Sequence, residues 1–342
     1  MRAVVFHEHG GPEVLAPAEV PRPEAGPGQV VVRVRACGVN RLDIWVRSGR
    51  RGPVPLPHIQ GSEVAGEVAE VGPGVVGVEA GQRVVVYPWL FCGHCEACLG
   101  GTETVCDRTD ILGVQSQGGY AEYVAVPAAN ALPLPPALDF VEGAAVTLST
   151  LTAWHMVVGR ARVQPGETVL VLAAGSGVGS AAVQIARLAG ARVIATASSD
   201  AKLERARALG AEMTINTQHE DLVEAVRRLT DGRGADVVVE HVGAATWAAS
   251  AAALAKNGRL VTCGATTGAE ATENLRLLYS RQLTVLGSMG GTRHELRQVL
   301  AATAEGRLRP VVHATYPLER AAEAQRAMEA REQFGKLVLV VE

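Results

Sequence analysis

Cys92, Cys95, Cys98 and Cys106 in FCGHCEACLGGTETVCD follow a C-x2-C-x2-C-x7-C spacing. Thiolates this densely placed match a tetrahedral four-cysteine zinc site, in which the protein supplies every ligand. Such a site leaves no open position for water or substrate, so its expected work is to hold a lobe of the fold together. The other two cysteines, Cys37 and Cys263, stand alone. No secretory signal leads the chain, so a reducing, cytoplasmic setting with free thiols is expected in preference to two disulfides.

A second segment, TVLVLAAGSGVGSAAVQIARLAGARVIATA, runs strand, glycine-rich turn, helix, strand. In that context the glycines let the backbone approach a pyrophosphate, whose charge sits at the positive end of the helix. The literal G-x-G-x-x-G spacing is not met. Aligned on the terminal Val-Gly, the turn reads Ala174, Gly175, Ser176, Gly177, Val178, Gly179, with small Ala and Ser in the first two glycine positions. Gly175, Ser176, Gly177, Val178 and Gly179 are the expected phosphate-side contacts. Thr152 upstream and Gly264 in LVTCGA belong to the same set, the latter because parallel sheets bind ligands at the carboxyl ends of their strands.

At the end of the second strand an NAD-selective site usually carries an acid against the ribose hydroxyls, and here ARVIATASSDAK has Ala197. Ser198, Ser199 and Lys202 are donors suited to a 2′-phosphate, so NADP is expected over NAD, which remains possible. Asp200 is expected to cap the helix that follows.

The elements that must position these groups divide the chain. With 342 residues and 48% hydrophobic content, two domains are expected. Short valine-rich runs in the first third, AVVF, QVVVRVRACGV, AGEVAEVG and QRVVVY, punctuated by Gly and Pro, indicate antiparallel, barrel-like structure. The zinc lobe, about residues 90–108, is an excursion from it. From about residue 153 to 290 buried strands alternate with amphipathic helices, the rhythm of βαβ units in a doubly wound parallel sheet. RHELRQVLAATAEG, ERAAEAQRAMEA and KLVLVV then add two helices and a strand that return to the first domain. The expected fold is α/β: a β-rich catalytic domain over 1–153 and 292–342, and a Rossmann dinucleotide-binding domain over 154–291.

No apolar stretch reaches the roughly 18 residues of a membrane span. A net charge of −3 with both signs mixed along the chain leaves no electrostatic footprint for nucleic acid or an anionic bilayer. The expected partner is a small-molecule substrate.

Together these residues resemble the medium-chain dehydrogenase/reductase superfamily, which holds zinc alcohol dehydrogenases and zinc-independent quinone reductases. The resemblance implies a GroES-like fold for the β-rich domain, the four-cysteine structural zinc at Cys92, Cys95, Cys98 and Cys106, and a homodimer or homotetramer. It also marks where a catalytic zinc would be bound. One ligand position falls on Asn40 in ACGVNRLD, another on Ser62 in Gly61-Ser62-Glu63, and a third near Leu148 to Thr150, where no zinc-binding side chain stands.

A neutral amide and a hydroxyl bind zinc far less well than thiolate and imidazole. Oxidation of a simple alcohol depends on a Lewis acid, whereas reduction of a quinone or enone spreads the developing charge and needs only hydrogen-bond donors. The expected activity is NAD(P)H-dependent hydride transfer to a quinone or α,β-unsaturated carbonyl. Asn40 and Ser62 are the candidate partners of the substrate oxygen, and Asp43 and Glu63 orient them. Two alternatives stand beside this reading. One is an alcohol dehydrogenase without zinc or with a zinc relocated onto some of Cys37, Asp43, His58 and Glu63. The other is a non-enzymatic protein that keeps the nucleotide site.

Arg47, Arg50 and Arg51 in WVRSGRRG read as a solvated loop more readily than as an anion site. Trp45, Tyr87 and Trp89 fit either an aromatic wall for a planar substrate or internal packing.

Overall fold

β-Branched residues favour extended backbone, and the longest valine-rich run, Gln29–Val39, is the spine of a seven-stranded sheet in the computed structural model, which describes residues 1–342. The sheet runs Ala131–Pro133, Arg83–Val86, Glu63–Val71, Gln29–Val39, Lys336–Val340, Val312–Pro317, with Tyr123–Pro127 also paired to the spine. Pairing is antiparallel except between the last two strands. Val30, Val31, Val32 and Val34 of the spine are all buried. A second sheet of three strands, Ala16–Glu19, Arg2–Phe6 and His58–Ile59, completes the β-rich part.

This β-rich unit comprises Met1–Ser149 and Thr292–Glu342, and a second unit comprises Thr150–Gly291. Register within the first unit decides what meets at one end of the spine. Gly38 lies opposite Glu63 on one side, and Val39 lies opposite Leu337 on the other. The pairing therefore brings Asn40, Glu63 and Lys336 together although they are far apart in sequence. Gly38 is required there, because a Cβ on it would lie 2.0 Å from Glu63 Oε2.

The lobe leaves the sheet after Arg83–Val86 as a two-stranded ribbon, Trp89–Leu90 with Asp110–Ile111, and a short helix, Glu96–Leu99. Tyr87 and Trp89 are buried with ring centroids 5.7 Å apart, so these two rings serve packing. Arg293 ties the lobe down. It pairs with Glu103 at 3.1 Å and lies 4.6 Å over the Phe91 ring.

The second unit is a six-stranded parallel sheet in the spatial order Met213–Asn216, Arg192–Ala197, Thr168–Val171, Ala235–Glu240, Leu254–Thr262, Thr284–Gly287. Numbered along the chain this is 3-2-1-4-5-6, the doubly wound order of dinucleotide-binding folds. Leu170, Ile194, Ile215, Val238 and Leu260 form its core. No helix in the chain is long and apolar enough to cross a membrane.

Candidate active site

The dinucleotide turn is built as a close approach. Ala173 adopts φ 44, and its N–H donates to Thr196 Oγ1 while the Ala174 N–H donates to Thr196 O, pinning the turn to the neighbouring strand. Helix Gly177–Leu188 follows. A Cβ on Gly179 would meet Ala173 O at 2.3 Å, so only glycine lets the helix pack this close to the strand. Ser176 is the N-cap, its hydroxyl accepting from the Gly179 N–H at 2.9 Å. That leaves the first-turn amides of Gly177 and Val178 without an intrahelical acceptor, the arrangement that receives a phosphate. The turn fits the pyrophosphate of a nicotinamide dinucleotide.

At the adenosine end one expectation is corrected. Ser199, not Asp200, caps helix Asp200–Ala208, accepting from the Lys202 N–H. Asp200 occupies the first helical position, and its carboxylate accepts from Asn216 Nδ2 at 2.7 Å. Ala197 ends its strand buried, Ser198 is exposed and Lys202 is half-buried. Thr152 is buried in helix Ser149–Trp154. Gly264 follows the strand Leu254–Thr262, where a Cβ would meet His241 O at 3.1 Å. The Cys263 thiol beside it is pushed up to about 12, chiefly by burial, so it is no thiolate at neutral pH.

The sheet end of the first unit is denser in polar groups. Asn40 is the N-cap of helix Arg41–Arg47, and its own N–H donates to Asp43 Oδ2 at 2.7 Å. Asn40 Oδ1 accepts from Lys336 Nζ at 2.7 Å, which also donates to Val39 O at 2.8 Å. The same ammonium lies 2.6 Å from Glu63 Oε2, an ion pair set off hydrogen-bond alignment. Glu63 Oε1 accepts from the backbone N–H groups of Leu148 and Ser149. Lys336 and Glu63 are both buried. Two buried side-chain donors here have no partner within the fold, Asn40 Nδ2 and Ser62 Oγ.

Beneath this cluster runs a chain of buried side chains. Tyr120 donates to Asp43 Oδ2 at 2.9 Å, Gln60 Nε2 donates to Asp43 O, and Gln325 donates to Gln60 Oε1 at 2.9 Å. Arg47 donates to Gln325 Oε1 at 2.7 Å and pairs with Glu329. Burial raises the Asp43 carboxyl from 3.8 to about 7, against the opposing pull of its Asn40 and Tyr120 hydrogen bonds. Arg47 corrects the solvated-loop expectation, being 2% exposed, whereas Arg50 and Arg51 are exposed as expected. Arg47 is held because each guanidinium nitrogen finds an acceptor inside the fold, on Gly10, Gln325 and Glu329. Trp45 is half-buried with Arg50 near its face.

A zinc relocated onto Cys37, Asp43, His58 and Glu63 does not fit this arrangement. The one group of three or more metal-capable side chains brought together is the lobe quartet. Glu63 is matched to Lys336, and a His58 ring nitrogen lies 3.1 Å from Gly113 O. Burial and the nearby Asp43 and Glu63 carboxylates push the Cys37 thiol well up. The standard positions fit no better, since Asn40 Oδ1 already faces an ammonium.

The lobe quartet does fit zinc. The four Sγ atoms lie within 4.8 Å of one another, with Cys92–Cys98 at 3.9 Å and Cys95–Cys98 at 3.5 Å. Backbone N–H groups of Cys92 and Arg108 point at Cys106 Sγ and that of Cys95 at Cys92 Sγ, each at 3.4 Å, as suits thiolates. No disulfide is formed.

Comparison with known proteins agrees with both units. Residues 26–136 match the family described as "Alcohol dehydrogenase GroES-like domain", and residues 177–305 match "Zinc-binding dehydrogenase". An "NAD-dependent alcohol dehydrogenase" of Sulfurisphaera tokodaii is 35% identical over 99% of this chain and 100% of its own length. The chain belongs to the medium-chain dehydrogenase/reductase superfamily. A rat "Quinone oxidoreductase" is 32% identical over 100% of this chain and 98% of its own. A solved structure described as "NAD-dependent alcohol dehydrogenase" superposes with a TM-score of 0.97 at 51% identity, covering 100% of both chains. This medium-chain dehydrogenase/reductase is therefore an NAD(P)-dependent oxidoreductase.

Sequence reasoning missed two groups. Lys336 is one of three lysines in the chain and opens an otherwise apolar strand, KLVLVV, which was the available signal. Glu240, at the carboxyl end of a central strand, is buried and accepts from the Val242 and Gly243 N–H groups, Thr246 Oγ1 and Ser250 Oγ. It fixes the loop after its strand, and nothing in the local sequence announces it.

Proposed function

We propose that this medium-chain dehydrogenase/reductase reduces a quinone or an α,β-unsaturated carbonyl at the expense of NADPH. The observation that carries the reading is the Asn40 amide, whose oxygen is taken by Lys336 while its nitrogen is a buried donor without a partner. When bound, NADPH would supply the hydride and become NADP⁺, and a proton taken from solvent would complete the reduced substrate. Asn40 Nδ2, together with Ser62 Oγ, donates to the substrate oxygen where negative charge develops. Asp43 holds the Asn40 backbone, and Glu63 holds Lys336.

Gly175, Ser176, Gly177, Val178 and Gly179 cradle the pyrophosphate, with Thr152 and Gly264 as further cofactor contacts. Ser198, Ser199 and Lys202 receive the 2′-phosphate, a preference supported by Ala197 where an acid would select NAD. Turnover of a quinone, an enone and a primary alcohol, each with both cofactors, tests the reading; primary-alcohol turnover above the other two would sink it.

Oxidation of an alcohol is the second reading, favoured by the names of the 35% and 51% identical relatives. The donor set at Asn40 and Ser62 weighs against it. A homodimer or homotetramer assembled through the second unit is proposed as well. The edge strand Thr284–Gly287 leaves its outer side unpaired and is largely exposed, with Leu275 and Tyr279 of the preceding helix also exposed. Unpaired edges invite strand addition. Light scattering of the wild type and of Val285→Lys checks the assembly.

A further inference from the structure

We propose that Lys336 is a positioning residue that sets the orientation of the Asn40 amide, so that its nitrogen and not its oxygen is presented to the substrate. The inference rests on the reading of Asn40 as the donor in reduction. An amide side chain can exchange its oxygen and nitrogen by a half-turn with little change in shape. In a neutral environment the two orientations compete, and in one of them the substrate oxygen would meet another oxygen.

Lys336 removes the ambiguity. An ammonium has only protons to offer and no acceptor; Val39 O at 2.8 Å and Asn40 Oδ1 at 2.7 Å accept from Nζ, and Glu63 Oε2 lies 2.6 Å away as its counter-charge. Turning the amide would set N–H donors against N–H donors and forfeit a charge-assisted bond, a preference of roughly ten- to a hundred-fold. The ammonium itself cannot drift. Glu63 faces it because Leu148 and Ser149 hold the other carboxylate oxygen and Gly38 leaves room for the side chain to cross the spine strand. With its N–H on Asp43, Asn40 has one polar side-chain atom left over, Nδ2.

A double-mutant cycle tests this in the full chain. Replacing Lys336 alone strands the buried Glu63 carboxylate, so the variant used is Glu63→Gln/Lys336→Met, which removes both charges together. It is compared with Asn40→Ala and with the triple variant, using NADPH and an enone. The expected result is a fall of about twofold or more in kcat for the charge-free pair, smaller than that of Asn40→Ala because part of the amide population still presents its nitrogen, with KM nearly unchanged. In the triple variant the losses should not multiply, the mark of residues acting through one another.

Unchanged kcat in the charge-free pair, or losses that multiply, would overturn the role of Lys336 while leaving Asn40 as the donor. If Asn40→Ala turns over enone like the wild type, the donor reading and this inference fall together. Neutron diffraction of deuterated wild-type protein gives an answer independent of any variant. Deuterons on the Asn40 atom away from Lys336 Nζ support the proposal, and deuterons on the atom facing it overturn it.

Discussion

The cysteine lobe and the Asn40–Glu63–Lys336 cluster are built in opposite ways. The lobe draws all four thiolates from one short segment, turns backbone N–H groups toward the sulfurs, and brings the Sγ atoms within 4.8 Å of one another. The cluster is assembled across three strands by register and holds a buried lysine that is itself neutralised by Glu63. One region keeps a cation by coordination, the other by an internal ion pair.

The sharpest break in that comparison is expected at the lobe. Cys95→Ser removes a ligand from a site of the kind whose metal contributes on the order of 10 kcal/mol to folding in small zinc domains. Elemental analysis should show zinc lost, and thermal melts should show a larger destabilisation than any substitution in the Asn40–Glu63–Lys336 cluster produces. Retained zinc with an unchanged melt would end the structural role.

The next effect is expected in the cluster. Lys336→Met leaves the Glu63 carboxylate buried and uncompensated, a loss of about 3–5 kcal/mol by denaturant unfolding, and adding Glu63→Gln should restore most of it. A single variant as stable as the wild type would mean that the ion pair carries no such charge balance.

Asp43 gives a pH-dependent contrast. Its carboxyl rises from 3.8 unfolded to about 7 folded because it is buried, so the folded chain holds the proton across that window. The stability tied to the protonated form is complete below the unfolded value and is lost as pH rises through the folded one. Relative to Asp43→Asn, wild-type stability should decline by a few kcal/mol, to order of magnitude, between those two pH values. A difference between the two proteins that stays flat across the window would contradict the assignment.

The smallest effect is expected at the cofactor. Lys202→Ala should weaken NADPH binding by roughly tenfold, the scale of one charge-assisted hydrogen bond, and leave NADH binding unchanged. Tighter NADH than NADPH binding by the wild type, measured by titration calorimetry, would reverse the proposed preference.

What could be read from the sequence follows the same division. The α/β class, the parallel sheet and the metal ligands were legible because each is a local pattern: alternating buried strands and helices, a glycine-rich turn, four cysteines in one run. The capping of helix Asp200–Ala208 was misplaced by one residue, since Ser and Asp stand side by side and either can cap. Arg47 looked solvated because its acceptors, Gln325 and Glu329, come from a helix near the other end of the chain. Lys336 was hidden for the same reason. Its meaning depends on strand register, and no window of sequence contains both it and Asn40.

The central claim, that the cluster reduces a conjugated carbonyl through hydrogen-bond donation, is tested most directly by kcat for an enone and for a primary alcohol in wild type and Asn40→Ala, with zinc per chain measured on the same samples. The account predicts one zinc per chain in both proteins, enone turnover above alcohol turnover in the wild type, and a loss of about 10²-fold in enone kcat for Asn40→Ala. A second zinc per chain that disappears in Asn40→Ala, together with alcohol turnover above enone turnover in the wild type, would contradict it.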